Sequence, residues 1–337
     1  MRRVPLLLGL LLSCRLAQAA VAPAWDRVWR SEDAIQGLSL EGRVRTMMLL
    51  GDRSVQAEAA LRVAHGRLRF DYESGNRRWS LIDDGRNLVS LRPTRQKATV
   101  LPRPRLAFDR SLAERNYLAR QAGSERVADR VADILEICPR SGGVAVWRLW
   151  LERGTSFALK RERYNVDGKL TSASECITLR TAAVPDEAFA IPAGWEREEA
   201  WVPGPPLPIE KLSRDLGFPV KSPRYLPAGY VWLGGHRGRE SRGRPPAAEL
   251  RYTDGLRMLT IVEGQRGPRR REPDGDRHRR WEEGRPPREP HPPPGGMTVT
   301  RAGGEKVLRY HHGERAVFVM GDLKDDELVR IAHSLDP

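Results

Sequence analysis

Between residues 38 and 91 apolar side chains recur at every second position, and this pattern limits the fold more than any other feature of the chain. Leu38, Leu40, Gly42, Val44 and Thr46 alternate with Glu41, Arg43 and Arg45. Val55, Ala57, Ala59, Leu61 and Val63 alternate with Gln56, Glu58 and Arg62. Leu68, Phe70 and Tyr72 form a third set, and Trp79, Leu81, Leu88, Val89 and Leu91 extend the series. A period of two belongs to a strand whose neighbouring side chains point to opposite faces, so each run predicts a sheet with one dry and one polar face. Gly51-Asp52, His65-Gly66, Ser74-Gly75-Asn76 and Asp83-Asp84-Gly85 supply turns between the runs.

Other patterns fill in the architecture. Trp25, Val28, Trp29 and Ile35 recur at helical spacing, which predicts a helix near 24–36. Asp109 can cap a second helix running to about Gln121. A second meander follows: Val127–Ile137, Val144–Leu151 with Trp147 and Trp150 on opposite sides, Phe157–Tyr164, and Leu170–Leu179. About ten strands and two helices make a curved antiparallel sheet wrapped around helices, expected over 24–195. The Pro-rich stretch 196–208 reads as a stiff connector. Beyond it, a helix ending at Gly217, six short strands between Tyr230 and Gly321, and a closing helix with Leu328, Ile331, Ala332 and Leu335 predict a smaller α+β domain over 209–337. Within it, Gln265–Gly296 holds nine Arg and eight Pro with Trp281 as its one large apolar residue, so it is expected to be a disordered insertion.

The N-terminus carries an address. Arg2 and Arg3 precede the apolar stretch Val4–Leu12, and Ala17-Gln18-Ala19 supplies small residues at cleavage spacing, the layout of a secretory signal peptide over 1–19. Leu11-Leu12-Ser13-Cys14 also fits a lipobox, which would leave a lipidated Cys14 at the mature end. Both readings mean export. Cys138 and Cys176 then face an oxidising compartment, and they are expected either to form a structural disulfide or to lie as two buried thiols in neighbouring strands.

Little points to catalysis. The chain lacks the GxSxG, HExxH, P-loop and GxGxxG patterns. His311 and His312 are adjacent on a predicted strand, so they point to opposite faces and make a poor metal pair. No cofactor is expected. The formal net charge of +14 on an exported chain points away from nucleic acid, towards anionic lipid, lipopolysaccharide or an acidic protein. Arg237, Arg239, Arg242 and Arg244 cluster in a Gly-containing loop, which could fork onto phosphates or carboxylates or simply be solvated.

Several segments carry a family likeness. Ser124–Arg130, Ile137-Cys138-Pro139, Trp147–Glu152, Gly154–Lys160 with Glu162, and Asp167-Gly168 resemble stretches of the RseB/MucB sigma-E regulatory family, in order. So do Leu226–Tyr230, Leu250–Leu256, Ala316–Asp322 and Ile331–Leu335 in the second half. Asp129, the two cysteines and the insertion depart from the pattern. The resemblance implies a LolA/LolB-like N-terminal half-barrel and a C-terminal domain of the MucB/RseB type. It further implies a periplasmic, non-enzymatic protein that binds the periplasmic part of a single-span anti-sigma factor and responds to misplaced lipid or lipoprotein. A LolA-like carrier of lipid or lipoprotein is the alternative, and a homo-oligomer is compatible with either. The expected cavity lining is Trp147, Trp150 and Phe157. The expected partner surface is the sheet around Tyr252–Glu263 and Glu305–Gly321, with Tyr252, Asp254, Arg309 and Tyr310 as candidate contacts.

Overall fold

The computed structural model describes residues 23–51, 53–75, 77–103, 109–239, 246–265, 296–302 and 304–335. The leader with Cys14, the loop residues Arg242 and Arg244, and all but the ends of the expected insertion lie outside the described residues.

Helix α1 (Ala24–Asp33) buries Val28 and Trp29 and passes through a short 3-10 turn into the first strand. Strands β1 (Ser39–Leu50), β2 (Arg53–Ala64), β3 (Arg67–Ser74), β4 (Arg77–Asp83), β5 (Asn87–Arg92) and β6 (Lys97–Pro102) form an antiparallel meander. Helix α2 (Arg110–Asn116) starts where the Leu112 amide donates to the Asp109 carboxylate at 3.0 Å. A second meander follows: β7 (Tyr117–Val127), β8 (Arg130–Pro139), β9 (Trp147–Glu152), β10 (Ala158–Tyr164) and β11 (Leu170–Thr181). Strand β11 pairs back onto β1, which fuses both meanders into one twelve-stranded sheet. Register breaks at Arg43/Val44, Gln121/Gly123 and Arg163/Tyr164 bend its strands, as bulges do. The result is an α+β fold, an open curved half-barrel with helices on its inner face.

The remaining chain builds a second sheet. Helix α3 (Ile209–Leu216) ends where Gly217 turns left-handed at φ 72°, a conformation costly for any residue with a Cβ. Strands β13 (Val231–Arg237), β14 (Ala247–Thr253), β15 (Met258–Gln265), β16 (Thr298–Ala302), β17 (Glu305–His312) and β18 (Arg315–Gly321) lie in the order β13-β14-β15-β18-β17-β16. Helix α4 (Asp325–Ser334) opens on Asp325, Asp326 and Glu327, which complement its dipole. Leu212, Leu250, Leu259, Ile261, Leu308, Val319, Leu328 and Ile331 are fully buried between the sheet and helices α3 and α4.

Three expectations need correction. The second helix stops at Asn116, and Tyr117–Val127 is strand β7. Tyr117 and Ala119 go inward opposite Pro139 and Ile137, and the long pairing with β8 outweighs the weak local preference for helix. The connector does not begin at 196: Glu196–Glu199 is a twelfth strand, β12, running parallel to β6. The third concerns the cysteines. Cys138 lies on β8 and Cys176 on β11, with β9 and β10 between them, and both are free. Three strand spacings of about 4.8 Å put them roughly 14 Å apart, twice the reach of a disulfide at about 7 Å between Cα atoms. Of the two thiol alternatives, the strands are not neighbours either.

Candidate functional site

The first site follows from register. Leu135 opposes Leu149, Leu149 opposes Arg161, Arg161 opposes Ser174, and Ser174 opposes Thr46. The side chains that pack under α1 therefore share a face with Thr46 and Met48. Over β7–β9 that inner face is covered: Val28 and Trp29 of α1 close on Tyr117, Leu135 and Leu149. Over β1–β3 Leu40, Val44, Leu61 and Val63 are buried in a second cluster with Phe70 and Tyr72 packed against it, and beyond that cluster the face stays apolar and open. Met48 opposes Val55, Tyr72 opposes Trp79, Phe70 opposes Leu81, and Leu88 faces Asp83. Phe70, Tyr72 and Trp79 stack in sequence, with centroids 6.3 Å and 4.9 Å apart. Met48 is 56% exposed, Val55 48%, Leu81 42% and Leu88 37%, values too high for a packed core. The opposite face of β4–β6 is dry, because Val184, Phe189 and Trp195 pack onto Ile82, Leu91 and Val100.

Charge is set into this trough. Arg161 is solvent-exposed, yet the surrounding protein desolvates its guanidinium and lowers its pKa, with Glu32 pulling the other way. Burial raises the carboxyl of Glu32, against the pull of Arg110, Arg161 and Arg103, and Arg110 pairs with it at 3.9 Å. An apolar trough with arginines on its floor and flank has the chemistry to take an acyl chain bearing an anionic group.

The expected lining residues are more buried than an open wall would be. Trp147 is on the inner face but half-buried in the α1 cluster, with the Arg163 guanidinium 5.9 Å from its ring. Trp150 points the other way and is 3% exposed; its Nε1 donates to Glu125 at 2.6 Å and Lys160 Nζ stands 4.4 Å from its ring. Phe157 is buried in the same cluster as Trp150. Trp150 and Phe157 are buried in the cluster against which Phe70 and Tyr72 pack, and the open wall beside it is Met48, Val55, Leu81 and Leu88, with Tyr72 and Trp79 half-buried between. The alternating runs that revealed the strands already contained this wall. They did not show which stretch of the inner face the short helices leave bare.

The second site is the seam between the two sheets. Tyr117, at the start of β7, donates its hydroxyl to the Asp254 carboxylate. Asn116 Nδ2 donates to the carbonyls of Gly229 at 3.0 Å and Asp254 at 2.8 Å. Asp254 Oδ1 also accepts from the amides of Leu256 and Arg257, shaping the Thr253–Arg257 turn. That turn sits so close to α2 that a Cβ on Gly255 would come 2.5 Å from the Ala113 nitrogen, and its φ of 101° excludes other residues as well. Further along, the Val166 amide donates to Asp322 Oδ1 at 2.8 Å, Arg257 pairs with Asp322 at 3.1 Å, and Lys306 bridges Asp167 at 3.1 Å and Asp325 at 2.8 Å.

The expected partner contacts are therefore mostly internal. Tyr252 and Tyr310 are 1% and 3% exposed, the second donating to the Ala332 carbonyl at 3.1 Å. Asp254 belongs to the seam, and Arg309 lies with its guanidinium 5.4 Å from the Phe318 ring. Side chains buried in the chain's own core cannot also be offered to a partner. His311 is buried, and among the described residues no three metal-ligating side chains converge.

An open curved half-barrel with an apolar inner-face trough is joined through a polar seam to a smaller α+β domain. Residues 66–195 match the family model of the MucB/RseB N-terminal domain. The sigma factor AlgU regulatory protein MucB of Pseudomonas aeruginosa is 30% identical over 154 residues, 46% of each chain, so the match spans about half the length of that relative. Among solved structures, MucB in complex with MucA(peri) superposes with a TM-score of 0.60 at 22% identity, over 93% of this chain and 98% of that one. The Pseudomonas aeruginosa MucA/MucB complex matches with the same values. Over residues 66–195 the chain is thus similar to the MucB/RseB N-terminal domain, and over nearly its whole length its fold is that of MucB.

Proposed function

We propose that the chain is a periplasmic, non-enzymatic regulator that binds the periplasmic part of a membrane-spanning anti-sigma factor and controls its proteolysis in envelope-stress signalling. The observation that carries this reading is the likeness over both domains to MucB, a sigma-factor regulatory protein solved in complex with the periplasmic part of MucA. A protein with two differently built domains suits this role better than a one-domain shuttle does. The test uses the exported chain and the periplasmic segment of a single-span anti-sigma factor from the same genome. Binding by calorimetry, together with slower cleavage of that segment by a periplasmic protease, is the expected result. A segment that neither binds nor gains protection overturns the reading.

A second role rests on the trough. The half-buried ladder Phe70-Tyr72-Trp79, the exposed Met48, Val55, Leu81 and Leu88 beside it and the Arg161 guanidinium support binding of an anionic lipid or the acyl part of a lipoprotein. In a regulator this would serve to sense lipid, and in a LolA-like carrier it would hold cargo. Retention of lysophospholipid by a chain that ignores the anti-sigma segment would favour the carrier.

A further inference from the structure

The hairpin of β1 and β2 is longer than the sheet around it. Pairing with β3 begins at Ala59, so Arg53–Glu58 have no neighbour on that flank, and pairing with β11 ends at Met48. The unpaired stretch of β2 is roughly 20 Å of strand, and the tip projects from the sheet. One face of the tip is occupied: Leu49 is buried and lines a small cleft with Lys169 and Arg301, where the C-terminal sheet comes down beside it. The other face is bare. Met48 stands opposite Val55 and Leu50 opposite Arg53, and Leu50 is 54% exposed, like the two trough residues beside it. Aliphatic side chains grouped in water at a projecting tip mark a contact surface.

The charge of this end is one-sided. The antiparallel order brings the β1–β2, β3–β4 and β5–β6 turns to the same end of the sheet. Their sequences, Leu50–Arg53, Ser74–Arg77 and Arg92–Lys97, hold Arg53, Arg77, Arg92, Arg95 and Lys97 against Asp52 alone. Glu196 and Glu198 of β12 engage Lys97, whereas Arg53, Arg92 and Arg95 are exposed and paired with no acid among the described residues. At the other end the β2–β3 and β4–β5 turns balance, with Asp83 and Asp84 against Arg67 and Arg86.

We propose that this end of the half-barrel docks on a bilayer carrying anionic phospholipid, with the Met48–Val55 tip in the interface and Arg53, Arg92 and Arg95 on the phosphates. In such binding, apolar burial and basic attraction to an anionic leaflet add. The charge decides against a second copy, because two tips meeting would set arginine against arginine. A folded partner would need a recess shaped to the tip, whereas a fluid acyl layer accepts flexible aliphatic side chains without one. Met48 and Val55 also belong to the trough wall, so the docked tip places the mouth of the trough at the acyl layer. The purpose of docking rests on the lipid reading of the trough: the trough holds a chain, and this end is where the chain enters.

Co-sedimentation of the exported chain with vesicles tests the docking, and lysophospholipid binding measured in parallel tests the trough. The expected result is capture by vesicles of phosphatidylcholine and phosphatidylglycerol, with little capture by phosphatidylcholine alone. Leu50→Ser and Arg53→Gln leave the trough wall intact, so each should weaken capture about fivefold with lysophospholipid affinity unchanged. Loss of capture in both variants supports docking even if no chain binds lysophospholipid, a result that would remove the trough alone. A chain that binds lysophospholipid but ignores both kinds of vesicle overturns the docking and leaves the trough standing. Capture retained in full by both variants also overturns it, by moving the membrane contact to another surface. So does a chain that ignores vesicles but forms a dimer that Leu50→Ser splits, which would give the tip to a second copy.

Discussion

Lys160 lies over Trp150, its ammonium 4.4 Å from the ring centroid, and the indole nitrogen on the other side donates to Glu125. A tryptophan held by a cation and a carboxylate and 3% exposed is a fixed part of the core. Trp150→Ala should therefore destabilise the half-barrel by about 3–5 kcal/mol, measured by urea unfolding. A loss below about 1 kcal/mol would return Trp150 to the list of accessible ligand contacts.

The trough wall should behave in the opposite way. Leu81→Glu and Val55→Glu alter side chains that are about half exposed, so stability should fall by no more than about 1 kcal/mol. Binding of a lysophospholipid, followed through tryptophan fluorescence, should weaken about tenfold as each change removes apolar contact from the site. Unchanged affinity in both variants would remove the trough as a lipid site.

Arg161→Gln isolates the charged part of that site. Affinity for an anionic lysolipid should fall by about tenfold, the loss expected for a charge-assisted hydrogen bond. A zwitterionic analogue should be nearly unaffected. Equal losses for both headgroups would mean that the guanidinium does not meet the anion.

The cysteines give a chemical prediction. Burial pushes the Cys176 thiol up to about 11, and Cys138 is raised too, first by burial and with Arg120 and Arg148 opposing. Because the thiolate is the reactive form, Cys176 should resist alkylation in the folded protein at neutral pH and react only as pH climbs towards that value. Unfolding without reductant should expose two alkylatable thiols in the exported chain, read by mass. A mass two hydrogens lower, with neither thiol available, would reinstate the bond.

Gly255 offers a structural test of the seam. Gly255→Ala places a Cβ 2.5 Å from the Ala113 nitrogen and strains a residue at φ 101°. The expected cost is about 1–3 kcal/mol, seen as a lower melting temperature. A neutral effect would mean that the turn does not press on α2.

Which parts were legible in the sequence depends on how local their causes are. The strands β1–β5 announce themselves by alternation that each carries alone, and α3 ends at a glycine whose role is local. Strand β7 is not legible locally, because Asp109 starts a helix and nothing in Tyr117–Gln121 stops one; its partner, β8, decides the matter. Strand β12 has no apolar residue, and only the edge of β6 makes it a strand. The cysteine pairing and the buried tyrosines failed for a related reason. Thirty-eight residues of separation say nothing about two intervening strands, and an aromatic residue on an expected docking sheet looks the same from either face. The alternation of the trough's side chains marks one dry face, but whether a dry face is covered depends on the reach of a ten-residue helix across a twelve-stranded sheet.

That short twelfth strand has a consequence of its own. Its four residues, Glu196, Arg197, Glu198 and Glu199, are all charged and all exposed, and Lys97 on β6 holds Glu196 and Glu198 at 3.1 Å and 3.0 Å. An open sheet this wide would otherwise end in a bare ladder of amides and carbonyls, ready to template a second chain. With a mostly acidic strip fastened along that border, two copies meeting edge to edge would set carboxylate against carboxylate. The half-barrel can stay open for a ligand at high local concentration without growing into fibres from that side.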